Sequence, residues 1–493
     1  MIMRTKIFFA VVAAAAALCA CEKGVYKDMN VDGPFIGHYD GGISQESQGG
    51  DKYDDFDDNP FVTTEEEPTS TFSVDCDGAS YANMRRYIRE GQLPPKSAVR
   101  IEEFLNYFTF DYAEPKGDEM IALNSEVSAC PWNENHRLMR LGIKGKSLKN
   151  RPNSNFVLLV DVSGSMNSED KIELLKSSFC TLVDNMDPKD RVSIITYASG
   201  VKKVLESTLA SDGVQIKNAL RSLQASGATS GADALTMGYQ EAEENFIKGG
   251  NNRIIMGTDG DFNVGVTSTE GLIEIVENYA KKGIYITICG FGRGNLNDSM
   301  IEKVTNAGNG TYEYIDSEDE VTKVFVNDYG KFFAVANDVK VQINFDAEQV
   351  EKYRLIGYEN RVLSEEEFED DKTDASEIGA GQTITALYEL VPAEKYAAGS
   401  ECAKFSVRYK KALGENSILI EDSVKSSNDV VSTANMSFAA GTAAYGMILR
   451  ESPHKGSSSF DLATNLIDAS LSFDPHGYRT QFKGLIDLAS KID

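Results

Sequence analysis

Cationic side chains are scarce in this chain: 49 Lys and Arg face 76 Asp and Glu, leaving a net charge of −27. A field of that sign repels a phosphate backbone, which argues against a nucleic-acid partner and favours cations as small ligands. Histidine is scarcer still. His38, His136, His454 and His476 lie far apart, and no Cys-x-x-Cys or His-Glu-x-x-His pair occurs, so zinc chemistry is not expected. No Walker loop and no Gly-x-Ser-x-Gly elbow is present, which removes the common signals for nucleotide and ester hydrolysis. Long apolar runs are also missing: the one from Ile7 to Ala20 is shorter than the ~20 residues a spanning helix needs. At 493 residues, 41% hydrophobic and 25% charged, the composition is that of a folded chain, with room for two to four domains of about 150 residues.

What is there begins with a leader. Arg4 and Lys6 precede the apolar run, the arrangement of a secretory signal peptide over residues 1–20. The run closes on Leu18-Cys19-Ala20-Cys21, which resembles the lipobox of bacterial lipoproteins. That resemblance implies cleavage after Ala20 and acylation of Cys21, a stable membrane anchor once several chains are attached. Glu22 follows, rather than the aspartate that usually retains lipoproteins in the inner membrane, so an outer-membrane destination is expected. Residues 21–66 are rich in Gly, Ser and acid with no periodic apolar face, and read as a disordered stalk. Cys180 and Cys289 fall in apolar patterns and read as buried thiols, whereas a disulfide drawn from Cys76, Cys130 and Cys402 stays open.

Residues 151–331 alternate strand and helix. The apolar run at 156–162 has the character of a strand buried on both faces, and further strands are expected at 191–197, 253–258 and 284–290. Between them, Ile172, Leu175, Phe179, Leu182, Val183 and Met186 recur at helical spacing, and further helices are expected at 212–224, 231–247, 268–282, 297–306 and 317–330. This pattern predicts an α/β fold with a doubly wound, mostly parallel, Rossmann-like sheet, whose ligands sit beyond the carboxyl ends of the strands. Residues 67–150 and 332–493 read as mixed β-rich and helical segments, with strands near 120–130, 138–143, 339–345, 382–391 and 404–409. They suggest a β-sandwich built from both sides of the inserted sheet domain.

Three loops place oxygen donors at that edge. The first strand runs into Asp161-Val162-Ser163-Gly164-Ser165, where alternate positions of an extended turn converge. Thr229 precedes the 231–247 helix, and Asp259 ends the 253–258 strand. These are hard donors without nitrogen or sulfur, suited to Mg²⁺, Mn²⁺ or Ca²⁺. Asp75-x-Asp77 reads more readily as a satisfied turn than as a second cation site, and so does Asp261. Gly290-Phe291-Gly292-Arg293-Gly294-Asn295 imitates a dinucleotide fingerprint without its last glycine, and reads as a turn.

The three loops together resemble a von Willebrand factor type A domain with a metal-ion-dependent adhesion site. The resemblance implies that Ser163, Ser165 and Thr229 ligate the ion, directly or through water, with Asp161 and Asp259 largely around them. The middle loop departs from the usual Gly-Thr-Asn, having Ala228-Thr229-Ser230. Flanking segments, among them YRLIGYENR (353–361) and TAAYGMILR (442–450), and the segment NRIIMGTDGDFNVGV (252–266) within the sheet domain, are similar to bacterial envelope proteins of the YfbK-like group. What this implies is a lipid-anchored, non-enzymatic binding protein that captures an envelope or extracellular partner through that partner's acidic residue. A structural scaffold braced by the metal is the alternative, and a metal-assisted hydrolase a more distant one, since no histidine neighbours Ser163 or Ser165 in sequence.

Overall fold

The computed structural model describes residues 51–75, 77–228, 231–260, 268–294 and 296–492. Its central sheet is six-stranded. The strands are β1 (Ser154–Asp161), β2 (Arg191–Tyr197), β3 (Val201–Leu209), β4 (Asn251–Thr258), β5 (Ile284–Phe291) and β6 (Thr311–Ile315). They lie in the order β6-β5-β4-β1-β2-β3, all parallel except the β2–β3 pair at the edge. Every residue of β1 is buried, because successive side chains feed two different cores. Phe156, Leu158 and Val160 pack with Leu175, Phe179 and Leu182 on one face, while Val157 and Leu159 pack with Leu235, Leu272 and Ile301 on the other. Two-sided burial explains why the strands are largely apolar, and the polar side chains they do carry, such as Asn155, Ser193 and Arg253, are held by hydrogen bonds.

Helices cover both faces: α1 (Leu174–Asn185), α2 (Gly213–Arg221), α3 (Gly231–Glu244), α4 (Thr269–Ala280), α5 (Asp298–Ala307) and α6 (Glu318–Thr322). The doubly wound α/β architecture expected for residues 151–331 is therefore what the chain adopts. Its last helix differs. Instead of one helix over 317–330, α6 passes into a wider turn at Lys323–Asn327 and a tight one at Tyr329–Phe332. Lys323 folds onto Asp328 as the chain leaves the helix.

The flanking segments meet in a sandwich of two antiparallel sheets. One runs Val62–Thr63, Val350–Ile356, Thr383–Pro392, Arg137–Gly145, Ile121–Ala129. The other runs Ile378–Gly379, Ala334–Phe345, Glu401–Lys410, Ile418–Lys425, with Thr69–Ser73 also paired to Ala334–Phe345. Both sheets thus mix strands from before and after the central domain. Met139, Leu141 and Ile143 of the first meet Val341, Ile343, Phe405 and Val407 of the second. A third layer joins the helices Ala79–Arg89 and Ile101–Asn106 to Ala434–Leu449, Phe460–Ala469 and Tyr478–Ala489 around Tyr81, Phe104, Phe108, Phe438 and Phe482.

The acid-rich segment from residue 51 to 66 is a correction to the stalk expected over 21–66. Asp51 pairs with Arg86 at 2.6 Å, Lys52 donates its backbone N–H to Leu296 at 2.8 Å, and Val62–Thr63 joins a sheet. Its carboxylates are drawn to guanidinium groups on the body, so charge here docks the segment instead of extending it. The rest of the expected stalk, and the leader with Cys21, lie outside the described residues. Among the described residues no helix is long and apolar enough to cross a membrane. Cys130, Cys180, Cys289 and Cys402 are free thiols, which removes the Cys130–Cys402 option for a disulfide; Cys76 lies outside the described residues.

Candidate functional site

The site sits where β1 and β4 end, at the carboxyl edge of the parallel sheet. Asp161 is the last residue of β1 and Asp259 follows the last of β4, so two neighbouring parallel strands deliver two carboxylates to one place. Both are fully buried. Asp161 Oδ1 accepts the backbone N–H of Ser163 at 2.8 Å, and its Oδ2 accepts the Thr258 hydroxyl at 3.3 Å. The first bond closes the turn that brings Ser163 Oγ within 2.9 Å of Ser165 Oγ. Ser163 is buried while Ser165 is exposed, so the hydroxyl pair runs from the interior to the surface.

Backbone contacts hold the neighbouring loop to this turn. Gly164 donates to the Gly227 carbonyl at 2.9 Å, and Ser226 donates to the Val162 carbonyl at 2.7 Å. Gly227 has φ +90°, and a Cβ there would stand 2.5 Å from Ser199 Oγ. That hydroxyl in turn accepts the Ala228 N–H at 3.0 Å, so a bare backbone at Gly227 is what lets Ser199 fix the loop. Thr229, the next residue, lies outside the described residues, as does Asp261.

Electrostatics are unusual for so small a space. Burial is the first cause that pushes the Asp161 carboxyl up, to about 6, and the neighbouring Asp259 adds to it. The Ser163 N–H and hydroxyl pull the other way. Tyr197, also fully buried, has its hydroxyl pushed far above its ordinary value by burial and by Asp161. Asp259 Oδ2 meets the Lys171 ammonium at 3.0 Å. Lys171 sits on the turn Glu169–Glu173 that leads into α1, and it is a site residue the sequence did not announce: it falls beside Ile172 with no charge periodicity to mark it.

The sequence-predicted residues Asp161, Ser163, Ser165 and Asp259 are thus set around one edge, with Asp161 bonded to Ser163 and Ser163 to Ser165. Two carboxylates and two hydroxyls, all oxygen, suit a hard divalent ion. Among the described residues no group of three or more His, Cys, Asp or Glu is placed to hold a metal, so an ion here would depend on hydroxyls and water as well as the carboxylates. The Asp75-x-Asp77 motif behaves as a turn. Asp75 accepts the Asp77 N–H at 2.8 Å and pairs with Arg361, and Asp77 accepts the Tyr312 N–H. His136 pairs with Glu389 in the sandwich, away from the serines.

Comparison with known proteins follows the same division. The von Willebrand factor type A domain model matches residues 156–261, a von Willebrand factor model matches 47–140, and a model for the C-terminal part of the uncharacterized protein YfbK matches 330–492. Uncharacterized protein YfbK of Escherichia coli is 37% identical over 469 residues, covering 90% of this chain and 81% of that one. Uncharacterized protein sll0103 of Synechocystis is 26% identical over 201 residues, covering 40% of this chain and 46% of its own. Among solved structures, a von Willebrand factor type A protein from Catenulispora acidiphila superposes with a TM-score of 0.44 at 14% identity, over 76% of this chain and 90% of that one. The identity to YfbK along nearly the whole chain, with a matching C-terminal model, means that this chain belongs to the YfbK family of von Willebrand factor type A proteins.

Proposed function

We propose that the protein is a non-enzymatic binding protein of the bacterial envelope, anchored by acylated Cys21 at the outer membrane. Its sheet domain would take a partner through a divalent cation. Interaction and adhesion are the roles the von Willebrand type A family suggests. The observation that carries the cation reading is the delivery of Asp161 and Asp259 by adjacent parallel strands to a turn whose hydroxyls, Ser163 and Ser165, lead outward. Ser163, Ser165 and Thr229 would hold Mg²⁺, or Mn²⁺ or Ca²⁺, with Asp161 and Asp259 balancing its charge. The ion supplies an electrophilic position for an acidic side chain of an envelope or extracellular partner.

This chain's residues divide the work. The Ser163 N–H fixes the Asp161 carboxylate, the Gly227 carbonyl fixes the turn through Gly164, and exposed Ser165 faces an arriving partner. His136 is engaged by Glu389 in the sandwich and is not poised as a base for Ser163 or Ser165, which favours binding over hydrolysis. Capture of envelope partners from detergent extracts, with and without EDTA, tests the reading. The Ser163→Ala/Ser165→Ala protein should lose every partner that EDTA releases from the wild type. Recovery of the same partners by the double variant would overturn it.

A further inference from the structure

Lys171 is buried against the site, with its ammonium 3.0 Å from Asp259 Oδ2; the side chains are 11% and 0% exposed. Its aliphatic stem lies over Gly292, in the loop after β5 that imitates a dinucleotide fingerprint. A Cβ on Gly292 would stand 2.3 Å from Lys171 Cε and 2.5 Å from its Cγ. Gly292 has φ +70°, and its carbonyl accepts the Tyr314 hydroxyl, so this loop is held in a shape that leaves a groove for the lysine. The lysine is therefore seated from two sides: the stem by a bare backbone, the head by a buried carboxylate.

We propose that Lys171 is an internal counter-cation that sets how strongly the site binds a divalent ion. This rests on the cation-dependent reading above. Asp161 and Asp259 together bring two negative charges to the sheet edge, and Lys171 returns one positive charge to Asp259. An entering ion must share Asp259 with the ammonium or repel it from its groove. Either way the site binds divalent ions more weakly than its two carboxylates alone would. Without an ion, the same ammonium offsets the charge buried at Asp259. The Gly-Phe-Gly segment acquires a role as the lysine's seat.

The test uses the full chain and its Lys171→Met variant, with Lys171→Gln as the substitute if the methionine protein does not fold. Lys171→Arg retains the charge. Mg²⁺ is titrated calorimetrically into each, and melting is followed in EDTA and in Mg²⁺. Removing one like charge from a partly buried site should tighten Mg²⁺ binding by about tenfold or more. In EDTA the neutral variant should melt below the wild type, and Mg²⁺ should raise its melting temperature by more than it raises the wild type's. Lys171→Arg should bind more weakly than Lys171→Met. Mg²⁺ affinity of Lys171→Met within twofold of wild type, or weaker, with wild type binding normally, overturns the role of Lys171 and leaves the cation site standing. Absence of Mg²⁺ binding in the wild type and in every variant overturns both.

Discussion

Arg100 and Asp298 lie 198 residues apart in sequence and form a buried ion pair, with Nη1 2.7 Å from Oδ2 and Nη2 3.3 Å from Oδ1. Arg100 precedes the helix Ile101–Asn106 of the N-terminal segment, while Asp298 opens α5 of the sheet domain. The same guanidinium also reaches Glu103 and, at 3.3 Å, Glu302. A second buried cluster, Arg85 with Asp316 and Glu320, ties the helix Ala79–Arg89 to the start of α6. The sheet domain is thus clamped to its flanks by ionic groups taken out of water.

Removing one side of such a buried pair leaves uncompensated charge. Arg100→Met should therefore destabilise the protein by about 3–5 kcal/mol. Urea unfolding is the check, and a loss below about 1 kcal/mol would mean that the pair contributes little. Restoring neutrality with Arg100→Met/Asp298→Asn should recover part of the loss.

Glu102, on the same helix, is fully buried, and burial followed by the nearby Glu359 pushes its carboxyl up to about 8. An unfolded glutamate titrates near its ordinary 4.5. Between those values the folded chain holds a proton that the unfolded chain has released, so this group's contribution to stability falls as pH rises from about 4.5 to 8. Glu102→Gln should remove that slope and gain roughly 3–4 kcal/mol on wild type between pH 5 and pH 8. Denaturant midpoints at pH 5 and 8 measure it. Equal differences between the two proteins at both values would contradict the assignment.

How the chain disclosed itself depended on what each face touches. The strands of the central sheet were legible because two-sided burial makes them largely apolar. The helix Ala79–Arg89 was not, because its buried residues include Ser80, Asn83 and Arg85, held by hydrogen bonds and ion pairs instead of apolar contact. Ile418–Lys425 is an outer strand whose middle, Glu421 to Ser423, meets water, so it carries no long apolar run. At the site, Asp161, Ser163, Ser165 and Asp259 were legible from their spacing after strands. Lys171 was not, since its significance arises only when α1's approach and the Gly292 loop meet in space.

Gly227 tests the support of the site without touching its donors. Gly227→Ala places a side chain at φ +90° and within 2.5 Å of Ser199 Oγ. We expect a loss of about 1–3 kcal/mol in stability and weaker Mg²⁺ binding, read by thermal unfolding and calorimetry. Ser199→Ala relieves the collision but forfeits the Ala228 bond, so it should restore stability only in part in the double variant.

Burial pushes the Cys130 and Cys402 thiols up to about 12 each. Neither should react with a thiol reagent at pH 8 in the folded protein, and both should react on unfolding. Mass mapping of labelled peptides distinguishes this from an exposed or bridged pair, which would show prompt labelling or none after unfolding without reductant.

The most direct measurement is calorimetric titration of Mg²⁺, Mn²⁺ and Ca²⁺ into the protein beside its Asp161→Ala variant. Saturable binding of at least one of these ions at a single site is expected, lost in Asp161→Ala although the variant remains folded. No binding by the wild type, or the same binding in both, would contradict it.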